Sequence, residues 1–310
     1  MRRRNGWDRP RTGAGGGVTE WWEAAAMKLV HFNDFRLGAL AGEGGDRVVD
    51  ITDLVDTANV SPQSRLRTLI ANWATLAPQV QAAAEGAGVP LADVRLRPSV
   101  PHPGQLVCAA VNYLEPAHPE PGPFNGFLKS PNSIIGNGDT VELPDAEATV
   151  FHFEPELALV IGKRASHLKP EEATGCIFGY TPFIDASARG LPGGFFLGKS
   201  WHTFAPLGPA LVTADEVPEP NNLAVEFAVN GKVRQTYSTS SMARHIPELL
   251  AEITKVIALE PGDVVATGVH HLALSPIQGG DRVRVTVERL GPPLEVAVHD
   301  AKGRTWEVEG

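Results

Sequence analysis

Short apolar runs, each interrupted by glycine or a charged residue, follow one another along the chain from Met27 onward. Residues 29–32, 36–40 and 47–51 have the length and the flanking residues that are typical of strands. Because the connections between them are short, these runs predict a small β-meander at the start of the folded chain.

A helical pattern replaces the strand pattern after residue 60. Ser61 is a favoured N-cap and Pro62 a favoured first helical residue. The apolar stripe that follows at helical spacing consists of Leu66, Leu69, Ile70 and Trp73. A second short helix is predicted to begin at Pro78 and to end near Gly86, and the Pro-rich residues 98–104 then indicate a linker. Residues 27–97 are therefore predicted to form a small N-terminal β/α domain.

The chain beyond this linker has mainly strand patterns separated by long connections. Residues 153–161, 223–229 and 283–287 are predicted strands, and a helix with a strong apolar stripe is predicted from Ile246. We find no internal repeat of solenoid or propeller length. The fold class is predicted to be α+β and mostly β, with residues 105–310 as the larger domain.

The first 26 residues differ in composition from the rest. Residues 1–17 are basic and rich in glycine, they have no apolar period, and they lack the long apolar stretch of a signal peptide. We expect residues 1–26 to be a disordered extension or to precede the native start at Met27, with a basic targeting arm as the alternative.

Composition excludes several classes of protein. The 310 residues carry a formal net charge of −9, with 43% hydrophobic and 20% charged residues, which is typical of a globular protein. The apolar runs are too short to span a membrane, and an acidic chain with scattered basic residues is not expected to bind nucleic acid. The two cysteines are too few for a disulfide framework. These features predict a cytoplasmic enzyme.

Paired carboxylates are the first candidate chemistry. Glu154 and Glu156 lie two residues apart in a predicted strand, so their side chains project from the same face. Two carboxylates this close repel each other unless a proton or a cation lies between them, and Mg²⁺ or Mn²⁺ prefers oxygen ligands of this kind. A solvated strand face is the alternative interpretation, because this spacing is common in exposed strands.

A third carboxylate and two cations extend this candidate site. Asp185 is placed at the end of an apolar strand, and Arg189 follows four residues later. The two residues suit a metal ligand beside an anion-binding arginine, although an ordinary ion pair would give the same pattern. Lys199 lies in an apolar segment, and a buried lysine usually pairs with carboxylates or takes part in chemistry. We expect the following turn-rich segment to hold it on a rigid loop.

At this point a series of short motifs resembles the fumarylacetoacetate hydrolase family, in order and at similar spacing, between residues 106 and 298. The motifs are NY at 112–113, FLKSPNS at 127–133, EPELALVIG at 154–162, GYT at 179–181, DASAR at 185–189, GKS at 198–200, APLGP at 205–209, NG at 230–231, RQ at 234–235, LEPGD at 259–263 and ATG at 266–268. No single motif is decisive, and the resemblance depends on the number of motifs that occur in the same order.

This resemblance implies a fold, a metal site and a reaction. The fold is a mixed β-roll with a small N-terminal domain, usually in a homodimer. The resemblance assigns Glu154, Glu156 and Asp185 as ligands of Mg²⁺ or Mn²⁺, with Ca²⁺ as a third option, Lys199 as the active-site lysine and Arg189 as a substrate-binding residue. Members of the family cleave, decarboxylate or isomerise small acids in which two carbonyls flank a carbon, and in the hydrolases a His–Glu pair on a loop activates water.

The sequence departs from the family where this loop is expected. The positions of the loop histidine and glutamate are occupied by Pro116 and Pro119, and His118 and Glu120 lie close by as displaced candidates for the catalytic pair. His118 as an exposed loop histidine is the equal alternative. The usual glutamine after the arginine is absent from a shortened connection.

A second departure follows the ATG motif. Val269 replaces the usual threonine, and His270 and His271 come next. The two histidines are candidates for an anion contact or a base, and solvated loop residues are the favoured alternative.

Three functions remain open from the sequence. The leading hypothesis is a metal-dependent hydrolase that cleaves a C–C bond in an acylpyruvate-like acid. The second is a decarboxylase or a keto–enol isomerase on the same scaffold. The third, non-catalytic metal binding, is weakest, because Lys199, Arg189 and the three carboxylates are all present.

Overall fold

The computed structural model of the protein describes residues 27–55, 60–116 and 119–307. Residues 1–26, predicted as an extension, lie outside the described residues. The strands of the described part are β1 Lys28–Phe32, β2 Arg36–Ala41, β3 Arg47–Asp50, β4 Val89–Pro90, β5 Leu106–Ala110, β6 Asn125–Lys129, β7 Ile134–Ile135, β8 Thr140–Glu142, β9 Val150–Ile161, β10 Ile177–Arg189, β11 Ala205–Pro206, β12 Ala210–Thr213, β13 Ala224–Val229, β14 Lys232–Ser238, β15 Val264–Ala266, β16 Arg282–Val287 and β17 Leu294–His299. The helices are α1 Pro62–Ala71, α2 Trp73–Ala84, α3 Pro170–Ala173, α4 Gly194–Lys199 and α5 Ile246–Val256. The predicted α+β class with mostly β structure is confirmed.

Two mixed sheets form the centre of the fold. A ten-stranded sheet has the order β4-β3-β2-β1-β12-β10-β9-β15-β5-β6, and a five-stranded sheet has the order β14-β13-β16-β17-β8. The predicted meander is confirmed as β1 to β3, and β1 pairs antiparallel with β12, so the N-terminal strands extend the large sheet. The division into domains at residues 98–104 stays a prediction.

The longest strands, β9 and β10, form the antiparallel pair at the middle of the large sheet. Their register places Asp185 directly opposite Glu154 and Phe183 opposite Glu156. Cross-strand partners in an antiparallel pair project from the same face of the sheet. The sequence had placed Asp185 at the end of its strand, and this prediction is wrong. Asp185 lies inside β10, which continues to Arg189 because the small residues after Asp185 remain paired with β9.

The helices cover the edges and faces of the sheets. In α1, the Ser61 hydroxyl accepts a hydrogen bond from the Ser64 amide, as predicted for the N-cap. The predicted start of the second helix is wrong, because α2 begins at Trp73 and contains Pro78 in its interior. Pro78 is exposed, so water reaches the carbonyl group that the missing amide leaves free. No helix within the described ranges is long and apolar enough to cross a membrane.

Candidate metal centre and active site

Three carboxylates converge on one face of the β9–β10 pair. Oxygen atoms of Glu154, Glu156 and Asp185 all lie within 4.8 Å of one another. The side chains are buried, at 3%, 1% and 1% relative exposure for the three residues in that order. The period of two in β9 and the register with β10 bring these oxygens together, as the sequence predicts for Glu154 and Glu156.

Lys199 connects two of these carboxylates. Its Nζ atom lies 2.6 Å from Oε2 of Glu154 and 2.6 Å from Oδ2 of Asp185. Lys199 is the last residue of α4 rather than a loop residue, and it is 5% exposed. Gly193, the residue before the helix, has φ of 98°, a conformation that glycine adopts without strain, and this turn brings α4 back over β10.

Two further basic side chains bind the same carboxylates from other sides. The guanidinium of Arg189 donates to Oε1 of Glu154, which also accepts a 3.2 Å hydrogen bond from the Ser187 hydroxyl. Lys129, at the end of β6, donates to Oδ1 of Asp185 and, at 2.9 Å, to the carbonyl oxygen of Ala186. The Lys129 side chain is fully buried, so Asp185 is held between two ammonium groups.

Glu156 differs from the other two carboxylates in its partners. Its Oε2 atom accepts a 2.7 Å hydrogen bond from the Gly268 amide, and no basic side chain among the described residues forms an ion pair with it. Burial raises the pKa of Glu156 well above its usual value, and the charges of Asp185 and Glu154 raise it further. Burial would also raise the pKa of Asp185, but Lys129 and Lys199 outweigh it and lower that pKa.

These residues fit a divalent cation. The donor set consists of carboxylate oxygens alone, which suits a hard ion such as Mg²⁺ or Mn²⁺. The carboxylate of Glu156 is buried without a cationic partner within the described part of the chain, and a bound cation would supply the missing charge. The expected metal ligands therefore lie where a metal could bind, and their role stays a prediction.

A cavity of about 130 Å³ opens beside the three carboxylates. Arg189 and Lys199 contribute positive charge to its wall, and Phe127 and Phe195 contribute an apolar side. The rings of these phenylalanines stack with their centroids 4.3 Å apart and their planes 11° apart. The cavity thus combines an acidic floor, cationic walls and an apolar edge, which suits a small anionic ligand with an apolar group.

The structure describes one of the two residues expected from the loop after β5. His118 lies outside the described residues, and Glu120 is exposed and does not line the cavity. The catalytic roles of both stay predictions. Of the two adjacent histidines, His271 lines the cavity, whereas the ring of His270 stacks on Tyr237 with the centroids 6.4 Å apart.

Two features of the site were not predicted from the sequence. Lys129 stands in the FLKSPNS motif, and a lysine in an otherwise apolar strand segment is the signal that would have indicated its burial. The second feature is Glu115, whose side chain contacts His271 across two loops. Sequence carries no signal for that contact, because the two residues are 156 positions apart.

The sequence of the chain is similar to the sequences of two named enzymes. The chain is 32% identical over 284 residues to a maleylpyruvate hydrolase of Aquipseudomonas alcaligenes, a match that covers 86% of this chain and 97% of that protein. It is 35% identical over 222 residues to the oxaloacetate tautomerase YisK of Bacillus subtilis (strain 168), covering 65% of this chain and 72% of that one.

A solved structure is similar to this chain in fold. The maleylpyruvate hydrolase of Sphingobium sp. SYK-6, in complex with manganese(II) and pyruvate, superposes with a TM-score of 0.79 at 34% identity, covering 88% of this chain and 99% of that one. Residues 105–298 match the family model described as fumarylacetoacetate (FAA) hydrolase, C-terminal. The chain therefore belongs to the fumarylacetoacetate hydrolase family.

Proposed function

We propose that this protein is a divalent-metal-dependent hydrolase that cleaves a C–C bond in a small acylpyruvate-like acid, a 2-oxo acid with a second carbonyl two carbons away. The observation that carries this proposal is the buried cluster of Glu154, Glu156 and Asp185, with oxygens within 4.8 Å, on the wall of a cavity that Arg189 and Lys199 also line. An acidic metal-binding floor beside cationic groups suits an anionic substrate that carries carbonyl oxygens.

Glu154, Glu156 and Asp185 would hold the cation in this proposal. A bound Mg²⁺ or Mn²⁺ supplies a Lewis acid for the substrate oxygens. Lys199 adds positive charge beside the same cluster and favours the enolate that remains when the bond breaks. Arg189, which is one-third exposed, contacts Glu154 on one side and lies at the cavity wall, where it is placed to pair with a substrate carboxylate.

Cavity size and lining favour a small substrate. The volume of about 130 Å³ is well below the roughly 300–1,000 Å³ that is typical of pockets for drug-sized ligands. A pyruvyl unit would fill the polar part, and the acyl group would extend along Phe127 and Phe195. The relatives named as maleylpyruvate hydrolases support a substrate of this class.

Keto–enol tautomerisation or decarboxylation of oxaloacetate is the second candidate. The observation that favours it is the pair Pro116 and Pro119, which occupy the positions of the water-activating pair in the loop of the hydrolases. Tautomerisation and decarboxylation need no activated water. The similarity to an oxaloacetate tautomerase supports this candidate.

A product assay distinguishes the candidates. The purified protein with Mg²⁺ or Mn²⁺ is incubated with acetylpyruvate, maleylpyruvate and oxaloacetate, and products are followed by NMR. Release of pyruvate and a second carboxylic acid supports the hydrolase. An isomer of unchanged mass or released CO₂ supports the second candidate, and no turnover beyond a Glu154→Gln control contradicts both.

A further inference from the structure

Two polar side chains meet at the cavity from loops that are distant in sequence. Glu115 follows β5 by five residues, and His271 begins a short 3-10 segment, His271–Ala273, five residues after β15. His271 lines the same cavity as the carboxylate cluster. Neither residue corresponds to the family's loop histidine or glutamate, whose positions are Pro116 and Pro119.

The contacts between Glu115 and His271 determine how the imidazole ring is presented. Oε1 of Glu115 accepts the backbone amide hydrogen of His271 and lies 3.4 Å from its Nδ1 atom. The negative charge of Glu115 lies beside Nδ1 without a hydrogen bond between the two atoms, and it favours the tautomer with the proton on Nδ1, which leaves Nε2 as an acceptor. Within the described ranges no hydrogen bond to Nε2 is formed, and the side chain is 35% exposed, so substrate or water can reach it.

Both loops are fixed to the carboxylate cluster by buried hydrogen bonds. The side chain of Asn112, three residues before Glu115, donates to the carbonyl oxygen of Thr267 at 2.9 Å. The next residue, Gly268, donates its amide to Glu156 at 2.7 Å. The loop that carries Glu115 and the loop that carries His271 are thus tied to each other and to one of the expected metal ligands.

The two cationic side chains that line the cavity are already engaged as donors. Lys199 donates to Glu154 and Asp185, and Arg189 donates to Glu154. His271 therefore differs from them, because it offers an acceptor nitrogen with a carboxylate behind it. A base held by a carboxylate is the arrangement that general acid–base catalysis requires.

We propose that His271 is the acid–base residue of this site and that Glu115 is its positioning residue, an inference that rests on the proposed function. In the hydrolytic reaction, Nε2 accepts a proton from water while the water oxygen bonds to the acyl carbonyl carbon. The C–C bond then breaks, and its electron pair stays on the pyruvate enolate. The proton on Nε2 returns to the methylene carbon of that enolate, which gives one carboxylic acid and one pyruvate.

Pyruvate itself tests the proton transfer without knowledge of the full substrate. In D₂O with Mg²⁺, a base at this position exchanges the methyl protons of pyruvate for deuterium, which ¹H NMR measures as loss of the methyl signal. We expect the wild-type protein to accelerate exchange and His271→Gln to lower that rate about 100-fold or more, the size that is typical of a lost acid–base residue. Glu115→Gln is expected to lower the rate about tenfold with an unchanged KM for pyruvate.

Controls separate this role from a structural one. His270→Gln changes the adjacent histidine, whose ring stacks on Tyr237, and we expect less than about a twofold change in exchange. Imidazole added to His271→Ala is expected to restore part of the exchange rate, which repaired folding would not do. The rise in melting temperature on adding Mn²⁺ should remain in His271→Gln, since the carboxylates are intact.

The outcomes also distinguish this inference from the proposed function. Exchange that requires His271, with no cleavage of any acylpyruvate, supports the acid–base pair and overturns the hydrolase. Exchange or turnover that is equal in wild type and His271→Gln overturns the pair while the hydrolase stands. The pair is also overturned if His271→Gln loses both the Mn²⁺ response and the exchange activity. It is overturned as well if the wild type shows neither exchange nor turnover.

Discussion

The Nζ atom of Lys199 lies 2.6 Å from Oδ2 of Asp185, and the same atom lies 2.6 Å from Glu154. Lys199 thus neutralises two of the carboxylates that would hold a cation. A metal ion and this ammonium group must share the negative charge of the same oxygens. The lysine therefore has two opposite effects, because it stabilises the metal-free cluster and weakens the attraction of the cluster for a metal ion.

Lys199→Met is expected to separate these effects. Without metal, the variant should be less stable by about 3 kcal/mol, since removal of one partner of a buried ion pair leaves uncompensated charge. With Mn²⁺, the rise in melting temperature should be larger than in wild type, while turnover falls about 100-fold. Thermal unfolding with Mn²⁺ and with chelator checks the first two effects, and a smaller Mn²⁺ response than in wild type would contradict the shared site. Lys255→Met, at an exposed ion pair with Glu252, serves as the control.

Glu156→Gln is expected to change the metal-free stability and the response to Mn²⁺ in the opposite directions to Lys199→Met. Glu156→Gln keeps an acceptor for the Gly268 amide and removes a buried negative charge that lies beside Glu154 and Asp185. The metal-free variant should be at least as stable as wild type, because the repulsion among the three carboxylates is relieved. Its response to Mn²⁺ should be lost or weakened about tenfold or more in affinity, because one ligand is missing.

Calorimetric titration with Mn²⁺ and melting curves in chelator measure both properties of Glu156→Gln. The exposed Glu295→Gln on β17 is the matched control, and it should leave both unchanged. An unaltered Mn²⁺ affinity in Glu156→Gln would exclude this carboxylate from the metal site.

The pairing of two carboxylates in the cluster could be predicted from the sequence because it follows from strand periodicity. Residues two apart in any strand share a face, so Glu154 and Glu156 face the same way whatever the rest of the fold does. The motif series then indicated that Asp185 and Lys199 would join them. It did not predict that Asp185 lies inside β10, since strand length depends on pairing with β9 along its whole course.

Contacts between loops and strands that are distant in the sequence could not be predicted from the pattern of hydrophobic and polar residues. Lys129 reaches Asp185 although β6 is the edge strand of the large sheet and three strands separate it from β10, so the contact depends on the three-dimensional course of the sheet rather than on local sequence. The contact between Glu115 and His271 depends on two loop conformations that Asn112 joins. In the helices, the proline at 78 predicted a start, but the buried stripe of Trp73, Ala77 and Val80 begins α2 earlier.

The aromatic edge of the cavity leads to a prediction on specificity. Phe195 stacks on Phe127 at 4.3 Å and is itself 40% exposed. Phe195→Ala removes that contact surface, so KM for acylpyruvates with a long or aromatic acyl group should rise about tenfold, with kcat little changed. For acetylpyruvate, which has one methyl group to place there, the change should be small. Steady-state kinetics on the two substrates checks this, and equal changes in KM for both would contradict an acyl site at Phe195. Phe196→Ala, 74% exposed and not part of the cavity lining, is the control.

His31 is expected to make the stability of the folded protein depend on pH. The side chain is fully buried, its Nδ1 lies 3.2 Å from the carbonyl oxygen of Ser99, and Nε2 has no partner among the described residues. Burial, with a smaller contribution from the charge of Arg65, lowers the pKa of His31 to about 4. The unfolded chain binds a proton at about pH 6.5 and the folded chain does not until about pH 4. This contribution to stability is therefore complete above pH 6.5 and is lost as the pH falls from 6.5 to 4.

His31→Gln should remove this sensitivity, because glutamine keeps an N–H donor and does not titrate. The difference in free energy of unfolding between wild type and His31→Gln should shift by about 2–3 kcal/mol in favour of the variant between pH 7 and pH 4.5. Urea unfolding at both pH values measures it, and the difference between proteins cancels the titration of carboxylates that they share. His202→Gln, at an exposed histidine, should show no such shift. If His31→Gln and wild type lose stability in parallel over this range, then His31 is protonated in the folded protein, and the acid sensitivity has its origin elsewhere.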